Sequence, residues 1–341
     1  MQCTNHLKQV GIGVHNFHDT LKGLPPVMLW NGTVKGNQSS DQTLMGRMSF
    51  WGTIYPFVEQ QALYDKCIEG DTTTAGEGFD RYLNSDWWHG LSDAEKRGFG
   101  SVSYYRCPSR RSGGPLYADE RTNISNPGPQ TDYAIPAIYR DNGAGLYRLL
   151  DEVWMQQSIN LHAGPFRVAE VTLFGSQIIS WQPRDTFAWW QDGTSNQIIV
   201  SEKHLPLLSI GQCAFSSSSA AQPPETRLLD CSYLAASANS GSDSQMRADL
   251  AAHAFVLPPN RGGQADYWGR VIARGDVSEP ATTGGRWPMD MDNPVLGSAH
   301  PGVFNVLMGD GSVQGIPKTA NPDVICLLSV VNDGAVVSLP Q

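Results

Sequence analysis

Two residues near the carboxyl end, His300 and Asp310, are of the types that perform general acid–base catalysis. The apolar run at 303–308 between them predicts a β-strand, and Asp310-Gly311 predicts a tight turn directly after it. At a rise of about 3.3 Å per residue, an extended chain would place the two Cα atoms about 30 Å apart. We therefore expect structural roles, with Asp310 forming the turn and His300 serving as a hydrogen-bonding anchor.

A second polar segment contains the residue types of a nucleophile site: Asp192, Gly193, Thr194, Ser195 and Asn196, with Glu202 shortly after. It lacks the G-x-S-x-G order of a hydrolase, and the sequence identifies no base beside it. An Asx-type turn or a helix cap leading into a strand is the simpler interpretation. A hydrolase would require His300, Asp192 and Ser195 to converge. The chain contains no P-loop, no G-x-G-x-x-G at a strand-to-helix junction and no H-E-x-x-H, so we predict that it is not an enzyme.

A loop near residue 290 concentrates oxygen ligands of the kind that bind calcium, from Asp290, Asp292 and Asn293. Pro294 stands where an EF-hand loop would continue its ligand pattern, so the EF-hand spacing is not completed. A solvated turn is the favoured interpretation, with calcium as the alternative. We expect no other cofactor.

Adjacent tryptophans occur twice, as Trp87-Trp88 and as Trp189-Trp190. In an extended chain neighbouring side chains point to opposite faces, so one ring of each pair would face away from the other. Exposed rings could stack on a glycan or pack against a partner, whereas buried rings would fill a core covered by insertions. From the sequence both interpretations stay open.

The 6 cysteines include no CxxC pair, which argues against zinc-ribbon and thioredoxin-like sites. In an exported protein their even number permits three disulfides, whereas in a cytosolic protein they would be buried thiols. Cys213 with Cys231 is the favoured pair because it closes a short serine-rich loop.

The charge distribution argues against nucleic acid as a partner. The net charge is −9, and the largest basic group is the short one formed by Arg106, Arg110 and Arg111. A protein that binds phosphate backbones needs a basic surface, which this composition does not provide.

The elements that must position these residues follow from hydrophobic periodicity. Helices are predicted at 2–22, at 48–62 with a break at Pro56, at 91–97 with Ser92 as cap, and at 245–255. Strands are predicted at 102–107, 131–139, 166–171, 177–181, 197–201, 303–308 and 336–339. The longest apolar run, 324–331, has the length of a strand and not of a membrane span. This pattern predicts an α+β fold in which an N-terminal amphipathic helix packs on an antiparallel β-sheet.

Four local sequences, in this order along the chain, resemble a single family. The first is Cys3-Thr4-Asn5-His6-Leu7-Lys8-Gln9, followed by His15-Asn16-Phe17-His18-Asp19 and Leu24-Pro25-Pro26; the second is the run at 51–64 with Tyr105-Arg106-Cys107-Pro108-Ser109. The third is the run at 191–196 with Ser201-Glu202, and the fourth is a histidine, nine residues and Asp-Gly, from His300 to Gly311. Together they resemble the planctomycete-type, pilin-like family known as domain of unknown function 1559. Its members are also labelled as solute-binding proteins and typically start with a prepilin-type segment.

The resemblance implies that Met1 is internal to the natural gene product. Residues 1–24 would then be the last part of a longer pilin-type helix, whose membrane-anchoring part is missing from this sequence. Residues 25–341 would form a globular pilin-like domain with long β-rich insertions at about 140–185 and 205–295, which match no motif. The motif residues expected to have structural roles are His300, Asp310, Gly311, Asp192, Gly193, Asn196, Cys107 and Pro108.

The same resemblance implies a function. It indicates an exported protein of the cell envelope or extracellular surface that associates with itself or with other pilin-like subunits. Membrane contact would occur only through the missing helix. The alternative is a surface protein that binds a glycan or another solute through exposed tryptophans.

Overall fold

A 20-residue amphipathic helix, α1 (Gln2–Leu21), is the first element of the fold. The computed structural model describes residues 2–29, 45–69, 79, 83, 85–119, 127–138, 164–174, 177–205, 210–211, 230–237, 253–256, 296–331, 334 and 337. The predicted helix at 2–22 is thus confirmed, and it ends where Lys22 turns into the left-handed region at φ 59°.

One face of α1 is buried and the other is exposed. Leu7, Val10, Val14 and Phe17 are fully buried, as their three- and four-residue spacing predicts. Leu21, the last residue of the predicted stripe, is instead 41% exposed, because the helix ends there.

The helix approaches the sheet closely at Gly11. A Cβ atom at this position would lie 2.9 Å from Cδ1 of Leu307, so only a glycine permits this packing distance without a shift of the leucine. The intrinsic cost of a glycine inside a helix is therefore offset by a close contact with the sheet.

The central sheet has five strands in the order β11-β10-β7-β4-β9. Their bounds are β4 (Tyr133–Ile138), β7 (Ile198–Glu202), β9 (His253–Val256), β10 (Val303–Met308) and β11 (Val313–Pro317). All neighbours pair antiparallel except β4 and β9, which are parallel. The predicted α+β class with an N-terminal helix on antiparallel sheet is confirmed.

Within the described residues the chain also forms three two-stranded sheets. They pair β1 (Met45–Met48) with β8 (Ala235–Ser237), β2 (Tyr117–Ala118) with β3 (Gly128–Pro129), and β5 (Glu170–Phe174) with β6 (Gln177–Gln182). The further α-helices in this part of the chain are α2 (Phe50–Thr53), α3 (Gln61–Ile68), α4 (Ser85–Gly90), α5 (Asp93–Gly100) and α6 (Pro322–Ser329).

The central sheet is covered on both faces. Leu307 of β10 belongs to the large cluster that contains the buried face of α1, whereas its neighbours Val306 and Met308 belong to a second cluster with Ile325 and Leu328 of α6. This alternation is the period of two expected of a strand buried on both sides. The sheet therefore lies between α1 and α6.

Several local predictions need correction. The segment at 102–107 is not a strand, because Ser103–Tyr105 forms a single 3₁₀ turn. The end of the predicted helix at 245–255 lies in strand β9, and the apolar run at 324–331, for which no element was predicted, lies largely in helix α6. Short apolar runs do not distinguish the two structures by periodicity.

Two further predictions are shifted in position. The strand expected at 166–171 begins only at Glu170, and the helix expected at 48–62 is divided into α2, a 3₁₀ turn at Tyr55–Val58 and α3. Pro56 lies in the first turn of the 3₁₀ segment, where its missing N–H costs no hydrogen bond. The strand expected at 336–339 lies almost entirely outside the described residues, as do most of the insertions at 140–185 and 205–295. Among the helices that the structure describes, none is both long enough and apolar enough to cross a bilayer.

Candidate functional site

The motif residues form two groups where α1 packs on the sheet. One group lies at the start of β10 and the other at its end. Strands β7 and β10 are antiparallel neighbours, with Val306 opposite Ser201 and Met308 opposite Ile198. As a consequence, Glu202 at the end of β7 lies beside the start of β10, and Thr194 before β7 lies beside its end. Helix α1 brings Cys3 to the first location and His15 to the second.

At the first location four side chains from separate parts of the chain converge. They are Cys3, Cys107, Glu202 and His300, and we call them the cysteine cluster. One sulfur, oxygen or nitrogen atom from each lies within 4.8 Å of the others. Nε2 of His300 is 3.0 Å from Oε1 of Glu202 and 3.7 Å from Sγ of Cys107.

Burial of the cluster is uneven. Cys3, Cys107 and Glu202 are at most 2% exposed, whereas the side chain of His300 is 18% exposed. His300 is therefore the one member through which solvent can reach the cluster.

Hydrogen bonds from outside the cluster orient its members. The second carboxylate oxygen of Glu202, Oε2, accepts from the backbone N–H of Asn305 at 2.7 Å and from its side-chain amide at 3.0 Å. Cys3 donates to the hydroxyl of Ser109 over 3.8 Å. Glu202 is thus held so that Oε1 alone faces the histidine and the sulfurs.

A hydrogen bond couples the two thiols. The hydrogen bond with Cys107 lowers the pKa of Cys3 to about 5, against the opposing effect of burial. The same hydrogen bond, together with burial, raises the pKa of Cys107. The hydrogen bond to Glu202 raises the pKa of His300. The cluster can therefore hold a thiolate, a carboxylate and a histidine in contact, which is a set of metal-ligand types.

A buried ion network fixes the turn that carries Cys107. The backbone N–H of Cys107 donates to Asp132 at 2.8 Å, and the carboxylate of Asp132 also accepts from Arg110 and Arg111. Arg111 bridges from there to Asp230, to which it donates with two nitrogens. Burial alone would raise the pKa of Asp132, but the two arginines hold it at about 2.

Aromatic packing joins the two halves of the second motif. The Trp51 and Tyr105 rings lie 4.8 Å apart edge to face, and the Tyr105 hydroxyl donates to the carbonyl of Trp51. Tyr55 stacks on Tyr105 and shares a hydroxyl–hydroxyl hydrogen bond of 2.8 Å with Tyr233. This packing supports the segment that leads into Cys107.

At the second location two turns pack against His15. The carboxylate of Asp310 accepts from the backbone N–H of Ser312 at 2.8 Å, and the N–H of Asp310 donates to the carbonyl of Thr194. His15 Nε2 lies 3.1 Å from the carbonyl oxygen of Gly309. A Cβ on Gly309 would lie 2.7 Å from the Trp190 ring and 2.9 Å from the Thr194 carbonyl, so glycine is required here.

The other motif residues expected in structural roles lie in these turns. Gly193 precedes the 3₁₀ turn Thr194–Asn196, and Gly311 follows Asp310. The side-chain amide of Asn196 donates to the carbonyl of Asp192, and the carboxylate of Asp192 accepts from Gly334 N–H. Pro108 follows Cys107 in the turn closed by the N–H of Arg110 on the carbonyl of Cys107.

The geometry does not form the hydrolase site that the sequence left as an alternative. Ser195 and His300 lie at opposite ends of β7, which at about 3.3 Å per residue places them roughly 20 Å apart. A Cys107–His300–Glu202 triad also fails, because a catalytic histidine uses its two ring nitrogens for two partners. Here the same nitrogen, Nε2, faces both Cys107 and Glu202.

The tryptophan pairs are largely interior. Trp88 is fully buried, and Trp189 and Trp190 are 8% and 3% exposed, so of the two open interpretations the core-filling one is correct for these three. Their indole N–H groups donate to Asp119, to the carbonyl of Gly164 and to that of Pro165. Trp87 is half-buried against the core. Satisfied indoles inside the fold are core residues, and they offer no stacking surface to a glycan.

Two predictions fall partly or wholly on residues outside the described ranges. Asp290, Asp292 and Asn293, the calcium alternative, lie outside them, and so does Cys213. Cys231 is fully buried, and its pairing with Cys213 stays a prediction. The three disulfides that the even number of cysteines permits do not all form, because Cys3, Cys67, Cys107 and Cys326 are not disulfide-bonded.

Sequence reasoning missed the cysteine cluster because its members are far apart along the chain. Glu202 and His300 are separated by 98 positions, and Cys107 and His300 by 193. The buried Asp132 and Asp230 were also missed. One feature of the sequence could have predicted the two aspartates. Arg110 and Arg111 are adjacent and close to Cys107, and arginines that become buried need carboxylate partners.

Comparison with known proteins adds one finding. Residues 1–323 match a family model, SBP_bac_10, described as a protein of unknown function (DUF1559). No curated protein and no solved structure matches the chain.

Proposed function

The chain belongs to the DUF1559 family of proteins of unknown function, and on that premise we propose that it is a non-catalytic surface subunit of the pilin-like class. In this proposal the protein is exported to the cell envelope and associates with further copies, or with related subunits, through the outer face of α1. The observation that carries the proposal is the position of α1, which buries one face on an antiparallel sheet and leaves the other free.

The outer face of α1 has the composition of a modest helix–helix interface. Asn5, Lys8, Asn16 and Asp19 are exposed along it, and Ile12 in their middle is 51% exposed. Residues at spacings of three and four lie on one side of a helix, so these side chains form a single stripe. A polar stripe with one central apolar contact suits a reversible association between copies.

The arrangement of the motifs also supports a structural role. His300 and Asp310 are held in separate clusters, and each is engaged with groups of its own location. Such an arrangement fixes the position of a helix on a sheet, whereas catalysis needs acid, base and nucleophile around one reacting atom.

Solute binding is the weaker alternative. The family label favours it, but the tryptophans that would have supplied a stacking surface are mostly in the core. A solute site of this protein would therefore have to use other residues.

Assembly can be tested by replacing an exposed apolar residue on α1 with lysine and comparing it with the same replacement at an exposed apolar residue elsewhere. Sedimentation velocity and electron microscopy of the native envelope protein should show ordered polymers, and Ile12→Lys should shift them towards monomer. Phe174→Lys is the control, because Phe174 is 75% exposed but lies on the β5–β6 hairpin. The same weakening by both variants would place the association elsewhere. A protein that stays monomeric at every concentration and is retained by a glycan array would support the alternative.

A further inference from the structure

We propose that Cys3, Cys107, Glu202 and His300 bind one zinc ion, which fastens the start of α1 to the ends of β7 and β10. The site goes beyond the surface role proposed above and does not depend on it. Its basis is the convergence of one ligand atom from each of the four side chains within 4.8 Å.

The distances from His300 to Cys107 and to Glu202 are close to those of a tetrahedral ion. With Zn–S of about 2.3 Å and Zn–N or Zn–O of about 2.0–2.1 Å, neighbouring ligand atoms of a tetrahedron are about 3.3–3.8 Å apart. The distance from Cys107 Sγ to His300 Nε2 is 3.7 Å, within this range. His300 Nε2 and Glu202 Oε1 are 3.0 Å apart, so a shift of a few tenths of an ångström would admit the ion.

The ligand types select zinc over the hard cations. Two sulfurs and an imidazole favour zinc and related soft or borderline metals, whereas calcium and magnesium require oxygen ligands. Only one member of the cluster offers oxygen. All four positions of a tetrahedron are filled by protein atoms, which is typical of a structural site and not of a catalytic one.

A second layer of contacts is already in place. Metal-bound carboxylates are normally oriented by hydrogen bonds to their other oxygen, and Asn305 supplies two to Oε2 of Glu202. This leaves Oε1, which contacts His300, on the side of the cluster where the ion would bind. The partial exposure of His300 provides the route by which a metal would enter.

The charge of the ligand set also suits a divalent ion. Glu202 is a buried carboxylate, and zinc would bind Cys3 and Cys107 as thiolates with release of their protons. The ion would offset the negative charge that this binding gathers in the cluster. It would also link the first turn of α1 to residues 107, 202 and 300, which lie in three distant segments.

Zinc content is the direct test. The protein purified without chelator from zinc-supplemented medium should contain about one zinc per chain by plasma mass spectrometry. Cys3→Ser and Cys107→Ser should abolish this content. Cys67→Ala and Cys326→Ala are matched controls, because both remove a buried cysteine that lies outside the cluster and forms no disulfide, and they should retain the metal.

Two milder variants separate loss of the ion from loss of the fold. His300→Ala removes a partly exposed ligand, and Asn305→Ala removes a hydrogen bond to Glu202, so both should fold by circular dichroism. His300→Ala should lower zinc affinity at least as much as Asn305→Ala, for which we expect a loss of about 10–100-fold. Cobalt(II) in place of zinc should give the thiolate charge-transfer band of a tetrahedral site, absent in Cys107→Ser.

Two results would overturn the proposal. In the first, the folded protein lacks zinc after supplementation, and Cys3 and Cys107 are alkylated equally fast with and without chelator. In the second, intact mass and peptide mapping show Cys3 joined to Cys107 as a disulfide. Either result would assign the four residues to a metal-free packing contact.

Discussion

Asp132→Asn is the perturbation whose effect follows most directly from the structure. The carboxylate is fully buried and accepts from Arg110 at 3.0 Å, from Arg111 at 2.8 Å and from the N–H of Cys107 at 2.8 Å. Asparagine keeps the shape of the side chain but removes its charge and turns one acceptor into a donor. Arg111 would keep its pair with Asp230, whereas Arg110 would lose its carboxylate partner and keep hydrogen bonds to the carbonyls of Asp132 and Lys203.

The magnitude can be bounded in two ways. Lowering the pKa of Asp132 from 3.8 to about 2 corresponds to about 2.5 kcal/mol of preferential stabilisation of its charged form. Removal of one partner from a buried ion pair typically costs about 3–5 kcal/mol, because the other charge stays buried. We expect a loss near the second range, since both arginine side chains are at most 10% exposed.

Thermal unfolding with a matched control measures this loss. At about 2 °C for each kcal/mol in a chain of this size, Asp132→Asn should lower Tm by roughly 6–10 °C. Lys66→Met breaks the pairs with Glu69 and Glu95, which are 59% and 35% exposed, and should cost less than about 1 kcal/mol. The double variant Asp132→Asn with Arg110→Met should be less destabilised than the sum of its parts, by about 1–3 kcal/mol. Additive losses, or equal Tm values for Asp132→Asn and Lys66→Met, would refute the reasoning.

Three further outcomes are expected from other parts of the fold. Gly11→Val should destabilise the protein by about 1–3 kcal/mol in urea unfolding, because the added atoms meet Leu307, and it should cost less when introduced into a Leu307→Ala background. Ser92→Ala should cost about 1 kcal/mol, because it removes the cap and breaks the capping box with Glu95; an unchanged midpoint would show that α5 does not depend on its cap. In an NMR pH titration Glu95 should show a midpoint of about 2, because hydrogen bonds from Lys66 and Ser92 lower its pKa from 4.5. The sign follows from this direction: its small, solvent-screened contribution to stability is present above the unfolded pKa and is lost as pH falls towards 2.

Sequence patterns predicted the parts of the fold that depend on local periodicity. Helix α1, the division at Pro56, the cap at Ser92 and strand β10 all follow from spacing within a short window. The helix predicted at 245–255 was wrong at its end, where β9 lies, because short apolar runs fit a strand or a buried helix equally well. The parallel pairing of β4 with β9 could not be predicted, since pairing partners 118 positions apart leave no local signal.

The candidate site could be predicted only in pieces. The sequence identified motif residues of the site, such as His300 and Cys107. Their spacing can exclude a metal or catalytic site built from residues close together in sequence, but it does not show which distant residues meet. The absence of CxxC pairs argued against a zinc ribbon, yet it does not bear on ligands drawn from four segments. Contact between Cys3 and Cys107 requires the packing of α1 on the sheet, and that is a tertiary property.

The contacts of Cys3 and His15 together fix the position of α1 along the sheet. Cys3 is engaged at the end of β10 where His300 lies, and His15 at the end where Gly309 lies. Between them the helix is about 18 Å long at 1.5 Å per residue. A shift of the helix register by one residue would rotate each side chain by about 100° around the helix axis. Cys3 and His15 would then lose their partners at the same time. A helix held at both ends cannot slip along the sheet unless both contacts break. A subunit that transmits force from a surface assembly through α1 to its globular domain needs this property, whereas a soluble binding protein does not.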